Sequence, residues 1–216
     1  MTVFREIPRS VRVVTGPLYE PVSRDLAKVW CRVDDDDTSQ DAIVDLLLTA
    51  ARERAEDITG RAFVERDLEL LMDDLPDDQI IVLPYPPVQS VSYVRYVDTG
   101  GAEQELSGSP TPWILDTGSE PARLSPLQAA SWPSTQGTIS NVRIGFRCGH
   151  APSGSPVDES AYQLNIAGRL KNWLAVRVST FYEMRESIVV GGQVTEVPRD
   201  YVDGLLDGLI VHNRFA

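Results

Sequence analysis

The sequence predicts an α+β fold: a helical bundle with an inserted antiparallel β-lobe and an extended C-terminal tail. Two observations carry the prediction. Residues 41–58 (DAIVDLLLTAARERAEDI) place Ile43, Leu46, Leu47, Ala50, Arg54 and Ile58 at spacings of three and four, the period of a helix with one apolar stripe. After Thr59-Gly60-Arg61 the period becomes two. Leu68, Leu70 and Met72 alternate with Asp67, Glu69 and Asp73, which sets one face of a strand on a core.

In chain order, residues 1–22 mix short apolar stretches with Pro8, Gly16, Pro17 and Pro21, and are expected to form an arm with a short strand at 11–14. Ser23 is placed to cap a helix over 24–33, with Leu26, Val29 and Trp30 on one face. Four aspartates, Asp34, Asp35, Asp36 and Asp37, then connect to the helix at 41–58, whose positive end suits negative charge. Gly60 stands where a left-handed residue ends a helix. Strands are expected over 62–72, 80–83 and 88–98. Asp98-Thr99-Gly100-Gly101 turns the last of these back into 102–106.

Residues 107–137 are rich in Ser, Pro and Gly, with strand-like islands at 113–115 and 122–124. Residues 138–148 form a strand again, dented by Gly145. A long helix is expected from 156 to about 187, with Tyr162, Ile166, Leu170, Trp173, Phe181 and Met184 on its stripe, packed against 41–58. In the tail, Gly204 and Gly208 each cost a helix roughly 1 kcal/mol, so the apolar residues there need a partner to become ordered. The expected divisions are an arm (1–22), a main domain (23–190, with helices 23–60 and 156–187 around a β-lobe 62–148) and a tail (191–216).

The 216 residues are 42% hydrophobic and 24% charged, ordinary for a globular chain with a sizeable core. A net charge of −12 argues against tight nucleic-acid binding, which needs Lys and Arg to displace counterions. No apolar run is long enough to span a bilayer, and the N-terminus lacks a signal-peptide core, so a cytoplasmic site of synthesis and no membrane partner are expected. Cys31 and Cys148 do not make a disulfide framework and read as buried thiols.

The residues that could carry chemistry do not gather. His150 and His212 have no second ligand at metal spacing. The run 34–37 lacks the alternation and turn glycine of a Ca²⁺ loop, and reads as a solvated connection before a helix. There is no phosphate loop, nucleophile elbow or dinucleotide fingerprint. No cofactor, metal or catalytic residue is expected.

The strings AARERAEDITGRAFV (50–64) and DLPDDQIIVLPYPPVQSVSYVRYVD (74–98), a glycine turn and a late Trp132-Pro133 resemble the phage head–tail connector family. Those are adaptor, or head-completion, proteins that form a ring beneath the portal of long-tailed bacteriophages, and the resemblance spans roughly residues 20–190. It implies a non-enzymatic virion protein of the neck, between capsid and tail, assembled in the host bacterial cytoplasm. Its implied partners are the portal, the next neck, stopper or tail-completion protein, and further copies of itself in a dodecameric ring. Double-stranded DNA would pass through that ring without specific binding.

Within that frame Arg52 and Arg61 are expected between subunits. Asp34, Asp35, Asp36 and Asp37, with Asp73 and Asp74, are expected along the channel, where repelling phosphate helps DNA slide. Val202, Leu205, Leu206, Leu209 and Ile210 are expected to dock on the portal. A soluble acidic scaffolding module is the main alternative, and a metal-dependent hydrolase using clustered aspartates is a weaker one.

Overall fold

A computed structural model describes residues 9–108, 110–127, 130–153, 157–184 and 203–211. The fold is α+β, with all strand pairs antiparallel apart from one isolated bridge. It divides into two compact units. One holds the described residues up to Pro17 with Glu65–Gly149; the other holds Leu18–Val64 and the described residues from His150 onward.

The first unit contains strands β1 (Arg9–Thr15), β2 (Arg66–Met72), β3 (Ile81–Leu83), β4 (Val88–Val97), β5 (Glu103–Glu105), β6 (Trp113–Asp116), β7 (Ala122–Pro126) and β8 (Val142–Cys148). A five-stranded sheet runs β1-β2-β8-β4-β5, and a three-stranded sheet runs β3-β7-β6. The two islands of the Ser/Pro/Gly-rich stretch are thus a hairpin, β6 and β7, that pairs with β3. On one face of the larger sheet the register lines up Leu68 with Phe146 and Val91, and Leu70 with Ile144 and Val94. Leu68, Leu70, Ile144, Phe146 and Val94 are all buried there, as the alternation requires.

β2 starts at Arg66, later than the expected 62. Ala62 and Phe63 belong instead to the helical unit, where Phe63 is buried in the core and its amide donates to Glu56 Oε1 at 3.0 Å.

The second unit contains α1 (Arg24–Cys31), α2 (Asp41–Thr59), α3 (Glu159–Leu164) and α4 (Gly168–Glu183), with α4 packed on both α1 and α2. Ser23 Oγ accepts from the Leu26 amide at 3.2 Å, and Asp158 Oδ1 from the Ala161 amide at 3.0 Å, capping α1 and α3. Gly60 ends α2 in the left-handed region (φ 68°), its amide donating to Glu56 O at 2.8 Å.

Three expectations are corrected here. The helix expected over 156–187 is two helices. Ala167 is extended, with ψ 134°, and Ile166 turns into the core between them. Asn165 donates to Ala151 O at 2.8 Å, which holds the break. On α2 the buried stripe is Val44, Leu48, Ala51 and Ala55, one position on from the expected one, and Leu46 is 68% exposed. On α1 the buried residues are Ala27, Lys28 and Cys31, while Leu26, Val29 and Trp30 face out. Small residues let these helices approach closely, so alanines, not leucines, line much of the contact.

Candidate interaction surfaces

Arg52 is 4% exposed and lies inside its own chain. Its Nε donates to Glu20 Oε2 at 2.8 Å and its Nη1 to Glu56 Oε2 at 2.9 Å. Thr49 Oγ1 donates to the other Glu20 oxygen at 3.0 Å, so both carboxylates are satisfied by groups of the same unit. Burial opposes the guanidinium charge; Glu20 and Glu56 outweigh it and raise the Arg52 pKa. Within the chain, Arg52 locks α2 to the segment before α1 and, through Glu56, to the segment after Gly60.

Arg61 is also engaged within the chain, donating from Nε to Leu209 O at 2.5 Å. That contact brings in the tail. Residues 203–211 form two short 3₁₀ turns, Asp203–Leu205 and Asp207–Leu209, against the helical unit. Leu206 is fully buried in the core, with Leu205 and Leu209 packed against it. Polar anchors surround it: Trp173 Nε1 and Arg177 Nη2 donate to Asp203 Oδ1 at 3.2 and 2.7 Å. Arg169 donates to Gly208 O at 3.2 Å, and the Val211 amide to Thr59 O at 2.8 Å.

The apolar side of this segment, read from sequence as a docking face, is filled by its own bundle. The segment is not an α-helix, as Gly204 and Gly208 lead one to expect; its turns are 3₁₀ and are held from outside by arginines. Ile210 is half-buried, and Val202 lies outside the described residues.

The two acidic sets fall in different units. Asp34, Asp35 and Asp36 are exposed in the α1–α2 connection. The Lys28 ammonium supports that connection from beneath, donating to the carbonyls of Asp35 and Asp37 at 3.2 and 2.9 Å and pairing with Asp41 at 2.6 Å. Asp37 accepts from Ser39 Oγ and the Ser39 amide at 2.6 and 2.9 Å, and these bonds hold its carboxyl below the usual carboxylate range. Asp73 and Asp74 pin a loop: Asp73 accepts from the Ser140 amide at 2.8 Å, and Asp74 from Thr135 Oγ1 at 2.5 Å. Among the described residues, no group of three or more His, Cys, Asp or Glu side chains could hold a metal ion, and no helix is long and apolar enough to cross a membrane.

No protein-family model matches the chain, and no curated protein matches it in sequence. Solved structures do match. A chain in the neck of an empty gene transfer agent (GTA) particle, computed with C6 symmetry, has a TM-score of 0.71 at 22% identity, over 94% of this chain and 96% of that one. The virion of the native GTA particle contains a chain with a TM-score of 0.69 at 21% identity, over 94% and 95%. In the native neck computed with C12 symmetry the score is 0.62 at 22% identity, over 94% and 96%.

This chain shares their fold. At that identity the likeness is one of fold, and it takes in both units.

Sequence reasoning passed over Lys28 and Glu20, which organise the helical unit, because lone charged residues carry no periodic signal. It also passed over the edges of the five-stranded sheet. Strand order decides which strand is an edge, and strand order is not written in local alternation.

Proposed function

We propose that this chain is a structural protein of a phage-like neck, a head–tail connector subunit that forms a ring, docks under the portal and offers a surface to the next neck, stopper or tail-completion protein. The observation that carries this reading is the breadth of the fold match, 94% of this chain against 96% of a chain in a GTA neck. The sequence resemblance over roughly residues 20–190 points the same way from independent features. On this reading the protein works by geometry: it continues the DNA channel, and its net charge of −12 keeps phosphate from being gripped. Twelve copies are the expected number, and the exposed Asp34–Asp36 segment is the better candidate for a channel wall, since Asp73 and Asp74 spend their carboxylates on loop bonds.

The test is particle mass and symmetry by mass photometry and electron microscopy, for the purified chain alone and mixed with portal rings. Twelvefold or sixfold rings, or their capture on portal, are expected. A chain that stays monomeric in both conditions overturns the reading in favour of a scaffolding module.

A further inference from the structure

The five-stranded sheet ends in two edges, and among the described residues neither β1 nor β5 has a strand on its outer side. β1 is seven residues long with nearly every side chain exposed. It holds no proline and no lysine, the residues that most often blunt an open edge, and its single bulge comes only at its end, between Val13 and Thr15. On the face where β2 buries Leu68 and Leu70, β1 continues the rows with Val11 and Val13, and Val13 is 61% exposed. The apolar face of the sheet thus runs out to an uncovered rim.

The opposite face carries charge, and the two edges differ in sign. Cross-strand pairs share a face, so the register can be followed across the whole sheet. One row reads Ser10, Leu71, Arg143, Arg95, Glu105. Ser10 and Arg12 therefore lie on the same face as Glu105 and Glu103, at opposite margins. The β1 margin is basic, with Arg12 fixed by Glu69 at 2.7 Å through Nε and its side chain 60% exposed. The β5 margin, Glu103-Gln104-Glu105, is exposed; Glu105 is paired with Arg95 of β4 at 2.7 Å, and Glu103 stands beyond that pair at the same margin.

Two β1 strands meeting each other would set one basic margin against another and would close a dimer. A β1 edge meeting a β5 edge joins unlike charges, and such a head-to-tail contact generates a ring where its rotation closes.

We propose that the two edges meet between copies of this chain, β1 of one copy pairing with β5 of the next, so that the sheet continues across the subunit boundary. This rests on the ring-forming reading above and names the surface it uses. Main-chain hydrogen bonds supply the join, and the Arg12 margin against Glu103 sets its direction.

Two variants of the full chain test it. Ser10→Glu puts a carboxylate on the β1 margin, and Glu103→Arg puts a guanidinium on the β5 margin; both sites are exposed. Each variant alone should need about tenfold more protein to assemble, read by mass photometry, because like charges then face each other. An equimolar mixture should assemble like the wild type, since each variant's altered edge then meets an opposite charge. Hydrogen–deuterium exchange on wild-type rings gives a second reading: amides of residues 9–13 should slow on assembly.

If rings form yet these amides exchange as fast as in the monomer, or if both variants assemble normally, the edge contact is wrong while the ring reading stands. If the amides slow only when another neck protein is added, the partner is that protein and not a second copy. If the wild type forms no ring by itself or with portal, both readings fall.

Discussion

Tyr93 and Glu69 stand two strands apart in the same sheet, yet the Tyr93 hydroxyl donates to Glu69 Oε1 at 2.7 Å. The residue between them in the transverse row is Gly145, paired with Glu69 on one side and Tyr93 on the other. With no side chain there, the Tyr93 ring lies across the central strand and reaches the buried carboxylate, which Arg12 pairs with from the far side. One row thus ties β1, β2, β8 and β4 together. A Cβ at Gly145 would overlap the Tyr93 ring, coming closer than van der Waals contact to Cε1, Cζ and Cδ1. Gly145→Ala is therefore expected to lower stability by about 1–3 kcal/mol through overpacking, read as a fall in the urea midpoint with the slope unchanged. An unchanged midpoint would show that the ring is free to move aside.

Burial, and then the hydrogen bond to Glu69, push the Tyr93 pKa above its ordinary value of 10.0. The sign follows from linkage. A group whose folded pKa is raised contributes stability that is fully present below its unfolded value, about 10, and lost as pH rises through the folded value. Tyr93→Phe removes that dependence. The stability difference between wild type and Tyr93→Phe should be constant from neutral pH to about 9.5 and shrink above about 10. A difference that stays flat through the alkaline range would assign the bond no part in stability.

Removing the Arg52 side chain takes from Glu20 and from the buried Glu56 the guanidinium that both accept from. Breaking a buried ion pair from one side costs about 3–5 kcal/mol, because the remaining charge loses the partner that offset its desolvation. Arg52→Ala should therefore melt the isolated subunit at markedly lower temperature. A variant that keeps full monomer stability and loses only ring assembly would restore the intersubunit role.

On α2 the two readings of the apolar stripe separate cleanly. Leu48→Ala should cost about 2–5 kcal/mol as a core truncation. Leu46→Ala, at an exposed site, should stay within about 0.5 kcal/mol of wild type. Equal losses at the two positions would contradict the observed helix face.

Much of the α+β arrangement was legible because its signals are local. Ser23 and Gly60 mark helix ends by hydrogen-bond need and backbone handedness, and Leu68, Leu70 and Met72 mark a strand by period. The misreadings share a physical cause. Residues 43–48 offer Ile43, Val44, Leu46, Leu47 and Leu48 almost without interruption, so apolarity alone allows more than one face. What decides is the pair of small residues further on, Ala51 and Ala55, and the buried Arg52–Glu56 pair beside them. The break at 165–167 was hidden because Ile166 and Leu170 keep helical spacing across it. Asp34–Asp37 do connect two helices, which is local and legible, whereas Arg52 and Leu206 look like surface chemistry only until the partners Glu20 and Trp173 arrive from distant sequence.

The tail gives the sharpest test of that last point. Leu206 is buried among α-helical core residues, and Asp203 is held by both Trp173 and Arg177. Leu206→Ala should then cost about 2–5 kcal/mol, and a chain ending at residue 202 should lose a comparable amount. Asp203→Asn should cost less, about 1–3 kcal/mol, since the carboxamide oxygen keeps one acceptor while the charge facing Arg177 is lost. Chemical denaturation of the three variants measures this directly. The alternative, a tail whose apolar residues serve only a portal, makes the opposite prediction: each variant would keep the wild-type midpoint and fail only in attachment to portal rings. A fall in stability for Leu206→Ala with no fall for Asp203→Asn would keep the apolar anchor and discard the polar one.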